Sequence, residues 1–456
     1  MVKAKKKIGI IGSGSIAYMI ALELSVSSED EIFLIGNHSN KGASQAAGAM
    51  LNILSEVDIY NSKLPLMKWK LTNRDIVLQY WKEIEDTLDN YRMYDFPLIY
   101  GKGTTIKLDK VSMNSFEQES FNSMRNAALD HSIRVVNRSD EKFNYLDIPD
   151  EQSVDPNFLI RSSINKFNKK VNIINKAVET IKKIKKNYSV TLENESYNFE
   201  QIIIACGAWS DRIIRNSPDL IQPKIKSYND VGTALLLSSE FPHKEQPKID
   251  RIFRTPNRGG TCGIHSVQRC DSVYIGASSR PTHVDMKYPI ASSINALISG
   301  TQPIVGIDAH DLATDIITGY RPVTEDSYPI IGKLAENVWC VYGTKRDGFT
   351  WSPYYAKEIV NMILERESNH KKEWEEILEM CSPQRDFNSF GEVGFCIDAF
   401  VNSKKAESYQ HNIELTEEEL LVFRNIAEET HLKMEKRVGK QIGINPDLIK
   451  ILNFFN

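Results

Sequence analysis

The chain contains no apolar run near the roughly 20 residues that a membrane-crossing helix requires, so no membrane span is expected. Its one early apolar run, Ile8–Ile11, is too short for a secretory leader and ends in glycines. Cysteine is scarce: six in 456 residues, none in a CxxC pair. Cys206 and Cys340 sit in apolar, strand-like runs. This usage predicts free, buried thiols in a reducing compartment, and hence a cytoplasmic protein. Charge excess is small, with a formal net charge of −4, which argues against a nucleic-acid binder. The Lys3, Lys5, Lys6 and Lys7 cluster reads as the solvated start of a strand. The nine histidines form no convincing Ser–His–Asp or metal-binding pattern, and no metal is expected. Internal repeats and low-complexity tracts are absent.

What remains is a globular composition, 41% hydrophobic and 25% charged, in a chain long enough for two or three domains. It opens as strand–turn–helix–strand. Ile8–Ile11 is a short apolar run of the kind buried in parallel sheets. Residues 15–26 follow with helical spacing, and Glu31–Ile35 is a second buried strand. Together they form the first half of a doubly wound fold. The runs Val171–Ile174, Tyr188–Leu192, Gln201–Ala205 and Val338–Val341 read as returns to the same sheet. A Rossmann-like domain is therefore expected from residues 1–60, 151–225 and 320–370. Residues 61–150 and 226–319 would form a second domain inserted twice into it. Residues 371–456, rich in Glu and Lys, read as a helical extension. The expected fold class is mixed α/β.

Between the first strand and the first helix stands Gly12-Ser13-Gly14-Ser15-Ile16-Ala17, which matches G-x-G-x-x-G/A. The first glycine permits the tight turn, and the second lets the backbone approach a pyrophosphate. The small sixth residue lets helix and strand pack closely. The phosphates would rest on free N–H groups at the helix start. One expected element is missing. An acid usually ends the second strand and binds the ribose, but Gly36-Asn37 stands there, with His38 next to it.

Four further segments, taken with this turn, resemble the D-amino acid oxidase/glycine oxidase superfamily of FAD-dependent oxidoreductases over roughly residues 7–365. Ala43-Ser44-Gln45-Ala46-Ala47-Gly48-Ala49-Met50 is similar to the small-residue loop that passes the pyrophosphate and the flavin edge. Ile202–Ser210 resembles a strand ending in Ala-x-Gly-Ala-Trp-Ser, with Cys206, Gly207 and Trp209 beside the cofactor. Gly319–Gly332 resembles Gly-x-Arg-Pro-x-Thr-x-Asp-x-x-Pro-x-Ile-Gly. The resemblance implies that Arg321 forks onto a substrate carboxylate, with Tyr320 next to it in the site. Thr344-Lys345-Arg346-Asp347-Gly348-Phe349-Thr350 resembles the last flavin-contacting loop, where Arg346 would be a second substrate contact. Lys345 reads as a solvated loop charge rather than an aid to oxygen reduction. Asp155-Pro156 resembles a helix opening before the strand whose Val178 backbone would meet the adenine. Val273–Ser278 resembles a substrate-domain strand near the active site.

The resemblance implies oxidation of the C–N bond of an amine or amino acid. A neutral amine binds, hydride passes to flavin N5, and the imine hydrolyses. Sarcosine oxidases of the superfamily attach flavin through a cysteine, but that position is Gly319 here and no cysteine lies between Cys270 and Cys340. Noncovalent FAD is therefore expected. Three readings stay open: an oxidase using oxygen, a dehydrogenase passing electrons to a quinone or carrier, and a non-catalytic flavin-binding partner. The extension 371–456 would cap the site, form a homo-oligomer interface or recruit a partner.

Overall fold

The computed structural model describes residues 5–37, 42–91, 96–111, 115–167, 169–238, 248–257, 263–282, 288–307, 309, 312–409 and 413–453. His38, Lys3 and Cys262 lie outside these residues. The chain is a mixed α/β protein built on two large sheets. The first has six strands, in the order Ile330–Ala335, Val338–Tyr342, Gln201–Ile204, β1 (Lys7–Ile11), β2 (Glu31–Ile35) and Val171–Ile174. All neighbours pair in parallel except the first two. Helix α1 (Ser15–Ser27) is buried on almost every side, which fits its apolar composition. It packs against the helices Ser352–Ile363 and Pro156–Phe167, and Tyr18 stacks on Phe167.

The strand Asn187–Leu192 is not part of this sheet. It pairs antiparallel with Val178–Ile184 and Ser196–Phe199 in a separate three-stranded sheet. This corrects the expectation for Tyr188–Leu192: a tight turn with Lys185 at φ 57° closes a local hairpin before the chain can return to the main sheet.

The second large sheet has nine strands and is mostly antiparallel. It draws Thr104–Asp109, Phe143–Ile148 and Val136–Ser139 from the first half of the chain. The rest come from Ser227–Ser238 through Ala313–Thr324. Ser227–Ser238 and Ala313–Thr324 pair over twelve residues, with Asp230 opposite Arg321. This long pair carries the second sheet down to the edge of the first, because Ala313–Thr324 leads directly into Ile330–Ala335. The extension contains the helices Lys371–Cys381, Val393–Tyr409 and Glu417–Val438. The last begins at a Thr416–Glu419 capping box and ends at Gly439 with φ 77°. Among the described residues no helix is long and apolar enough to cross a membrane.

Candidate active site

A cavity of about 750 Å³ lies where the two large sheets meet, within the roughly 300–1,000 Å³ typical of cofactor and ligand sites. One part is the turn Gly12–Ile16. Gly12 has φ 148°, and a Cβ there would stand 2.2 Å from the Ala205 carbonyl oxygen. Only glycine lets β1 turn this close to the neighbouring strand. Gly14 precedes α1 and gives no side-chain cap; instead Ser44 Oγ accepts from the Ser15 N–H at 2.8 Å. The small-residue loop is thereby tied to the helix start.

Gly36 explains the missing acid. A Cβ at this position would lie 2.8 Å from the Gly12 carbonyl carbon and 3.0 Å from Ser13 Cβ. The crossing leaves no room for a side chain. Asn37 lines the cavity, and its carbonyl accepts from Ser13 Oγ at 2.9 Å. Ala177, Val178 and Glu179 line the same region, at a register shift between Val178 and Thr180. Arg212, Ile213 and Asn216 join them from the segment after Trp209. Sequence reasoning passed over Glu179, Arg212 and Asn216, which carry no motif.

The loop 42–50 is held from the second sheet. Arg269 Nη2 donates to the Ala47 carbonyl at 2.6 Å, and Tyr274 Oη donates to the Ala46 carbonyl at 3.1 Å. The guanidinium also sits 5.0 Å over the Tyr274 ring. A Cβ on Gly48 would meet Tyr274 and His265 Nε2 at 3.0 and 3.1 Å, so small residues are required here. Gly207 has φ 57°, and Cys206 beside it has a thiol pushed up to about 12 by burial. Trp209 packs edge-on against Tyr320, 5.9 Å away.

The other part of the cavity is charged. Arg321 Nη1 donates to the Ser278 carbonyl at 3.0 Å and faces the buried Asp230 carboxylate at 3.5 Å. Glu56 receives Arg254 Nη1 at 2.7 Å and Arg346 Nη1 at 3.4 Å. Burial raises the Glu56 carboxyl, but the two guanidinium groups prevail and hold it down to about 2. His265 stacks on Tyr274, and its Nδ1 lies 3.1 Å from the Gly263 carbonyl. A carbonyl only accepts, so Nδ1 carries the proton and Nε2 is left as the acceptor nitrogen of a ring that lines the cavity. Burial, reinforced by the Arg254 charge, pushes the imidazole down to about 3, so it is neutral at physiological pH. Glu56, Arg254 and His265 escaped the sequence reading, because each stands in a segment without a motif.

The loop Gly343–Thr350 closes the site. Lys345, Arg346 and Asp347 pair with Asp447, Glu56 and Lys70 in turn. Lys345 is therefore not a solvated charge; its side chain is 17% exposed and its Nζ lies 2.8 Å from Asp447 Oδ2. Thr350 Oγ1 donates to the Met50 carbonyl at 3.2 Å, and Trp81 Nε1 donates to the Thr350 carbonyl at 3.1 Å. Gly348 and Phe349 line the cavity alongside them. The structure thus brings the motif segments together around one cavity.

The model of the FAD-dependent oxidoreductase family matches residues 7–362. The chain belongs to this family. Glycine oxidase from Geobacillus kaustophilus superposes with a TM-score of 0.66 at 18% identity, covering 80% of this chain and 96% of that one. Iminodiacetate oxidase from Chelativorans sp. BNC1 gives 0.64 at 15% identity, covering 83% and 99%. L-proline dehydrogenase from P. horikoshii gives 0.62 at 16% identity, covering 81% and 96%. No curated protein sequence matches the chain. As a family member the protein binds FAD, and the cavity fits that cofactor. The glycine crossing at Gly12 and Gly36 leaves the start of α1 open to a diphosphate. Gly48 and Gly207 line the cavity without side chains.

Proposed function

We propose that this oxidoreductase oxidises the C–N bond of a carboxylate-bearing amino acid or amine, with noncovalent FAD and oxygen as final acceptor. Bound FAD supplies a two-electron acceptor for hydride. Arg321 holds the substrate carboxylate, oriented by Asp230 and the Ser278 carbonyl behind it. Arg346 is a second contact, fixed by Glu56. Tyr320 forms part of the wall. His265 Nε2 accepts a hydrogen bond from the substrate amine, which must be neutral to react. The observation that carries this reading is the joining of a diphosphate cradle to a cluster of three guanidinium groups and one neutral imidazole. Noncovalent binding is supported at Gly319, where a Cβ would stand 2.6 Å from Ala46 Cβ. No cysteine fits there without displacing the loop.

The test is oxygen uptake with peroxide and carbonyl product, measured over a panel of amino acids and amines. Turnover with an artificial acceptor but no peroxide would replace oxygen by a carrier. Arg321→Ala is expected to weaken carboxylate-bearing substrates by roughly 2–5 kcal/mol, as when one partner of a buried charge pair is lost. Unchanged kcat/KM in that variant would remove the carboxylate anchor from the account.

A further inference from the structure

The segment beyond the family match, from residue 363 onward, packs back on the two motif segments that form the site. Arg385 forks onto Asp326 with two hydrogen bonds of 2.8 Å. Arg437 forks onto Glu325 in the same way, again at 2.8 Å. Asn445 Nδ2 donates to Ser327 Oγ at 2.7 Å. Asp447, 8% exposed, takes Lys345 Nζ at 2.8 Å. Asn445 and Asp447 also line a second, smaller cavity of about 110 Å³. Its wall shares Glu56, Thr344, Lys345 and Arg346 with the main cavity, so the extension lies one side chain away from the cofactor site.

Each charged residue of Lys345-Arg346-Asp347 has its own counter-ion from a different part of the chain. Glu56 and Lys70 lie within the family stretch, whereas Asp447 does not. We propose that Asp447 is a positioning residue, supplied by the extension, which fixes the Lys345 ammonium and neutralises it beside the cofactor cavity. The extension thereby sets the redox potential of the bound flavin. A cation lining the cavity favours the more negative, reduced cofactor, and a paired cation favours it less. This inference rests on FAD binding in the main cavity but not on the identity of the oxidised substrate.

The experiment is the midpoint potential of the bound flavin in the full-length holoprotein, with hydrogen exchange of the Gly343–Thr350 amides as a second readout. Asp447→Asn leaves Lys345 charged and unneutralised. Its potential is expected to rise, with a shift of about tenfold in the equilibrium constant, or about 30 mV for a two-electron couple. Asp447→Glu should restore the parent value. In a Lys345→Met background, Asp447→Asn should have no effect on the potential. Faster exchange in the loop with an unchanged potential would mean that Asp447 only braces the loop, and would overturn the proposal. A shift that persists without Lys345 would overturn it as well. Absence of amine oxidation with these potential shifts intact would count against the substrate reading alone.

Discussion

At the scale of single residues, glycines shape one part of the cavity and paired charges the other. Gly12, at φ 148° and hard against the Ala205 carbonyl, makes a turn that few other residues can make, whereas Gly14 is extended. The missing acid at Gly36 looked like a defect in the sequence, but the structure gives it a steric cause in the contact with Gly12 and Ser13. Glu56, Arg254 and His265 could not be found by spacing, since Glu56 and Arg254 meet across 198 positions of chain. His265 makes a pH prediction. Its imidazole titrates near 6.5 when unfolded and near 3 in the folded protein. Between those values the unfolded chain binds a proton that the folded chain does not. Stability therefore falls as pH is lowered through this window, by up to about 1.4 kcal/mol per pH unit from this group. Glu56 adds a loss that begins only near 4.5 and continues to about 2. His265→Asn should flatten the dependence of unfolding free energy on pH between 6.5 and 4.5. An unchanged slope would show that His265 is protonated in the fold.

At the scale of elements, short apolar runs identified the central parallel strands, because a strand buried on both faces needs four or five apolar residues in succession; the edge strand Val171–Ile174 is interrupted by Asn172 and half exposed. They did not reveal which sheet a strand joins. Asn187–Leu192 has the residues of a core strand, yet a three-stranded hairpin sheet claims it. The extension was legible as helices but not as a clamp, since Arg385 and Arg437 look in the sequence like any exposed charges. Arg385 is 4% exposed and Asp326 is fully buried. Arg385→Met leaves that carboxylate without its main partner and should cost roughly 3–5 kcal/mol in denaturant unfolding. The double variant Arg385→Met with Asp326→Asn should recover part of the loss. A single variant as stable as the parent would mean the fork contributes nothing.

At the scale of the whole molecule, the site lies where the strand Ala313–Thr324 of one sheet runs on into Ile330–Ala335, the edge strand of the other. The long pair Ser227–Ser238 with Ala313–Thr324 carries Arg321 to the cavity that the turn between β1 and α1 also lines. Local patterns showed the first sheet and its cofactor. The second sheet is joined by the pairing of Ile252–Arg254 with residues 104–106, 252 − 104 = 148 positions away, and no periodicity states that register. On the proposed function, this architecture moves a hydride from an amine carbon to bound FAD. The direct measurement is an anaerobic single-turnover titration of the holoprotein, following flavin absorbance and the products formed. One or more carboxylate-bearing amino acids or amines are expected to bleach the flavin and yield one carbonyl compound per FAD. If the flavin stays oxidised across the full panel while dithionite still reduces it, the claim of C–N oxidation is wrong.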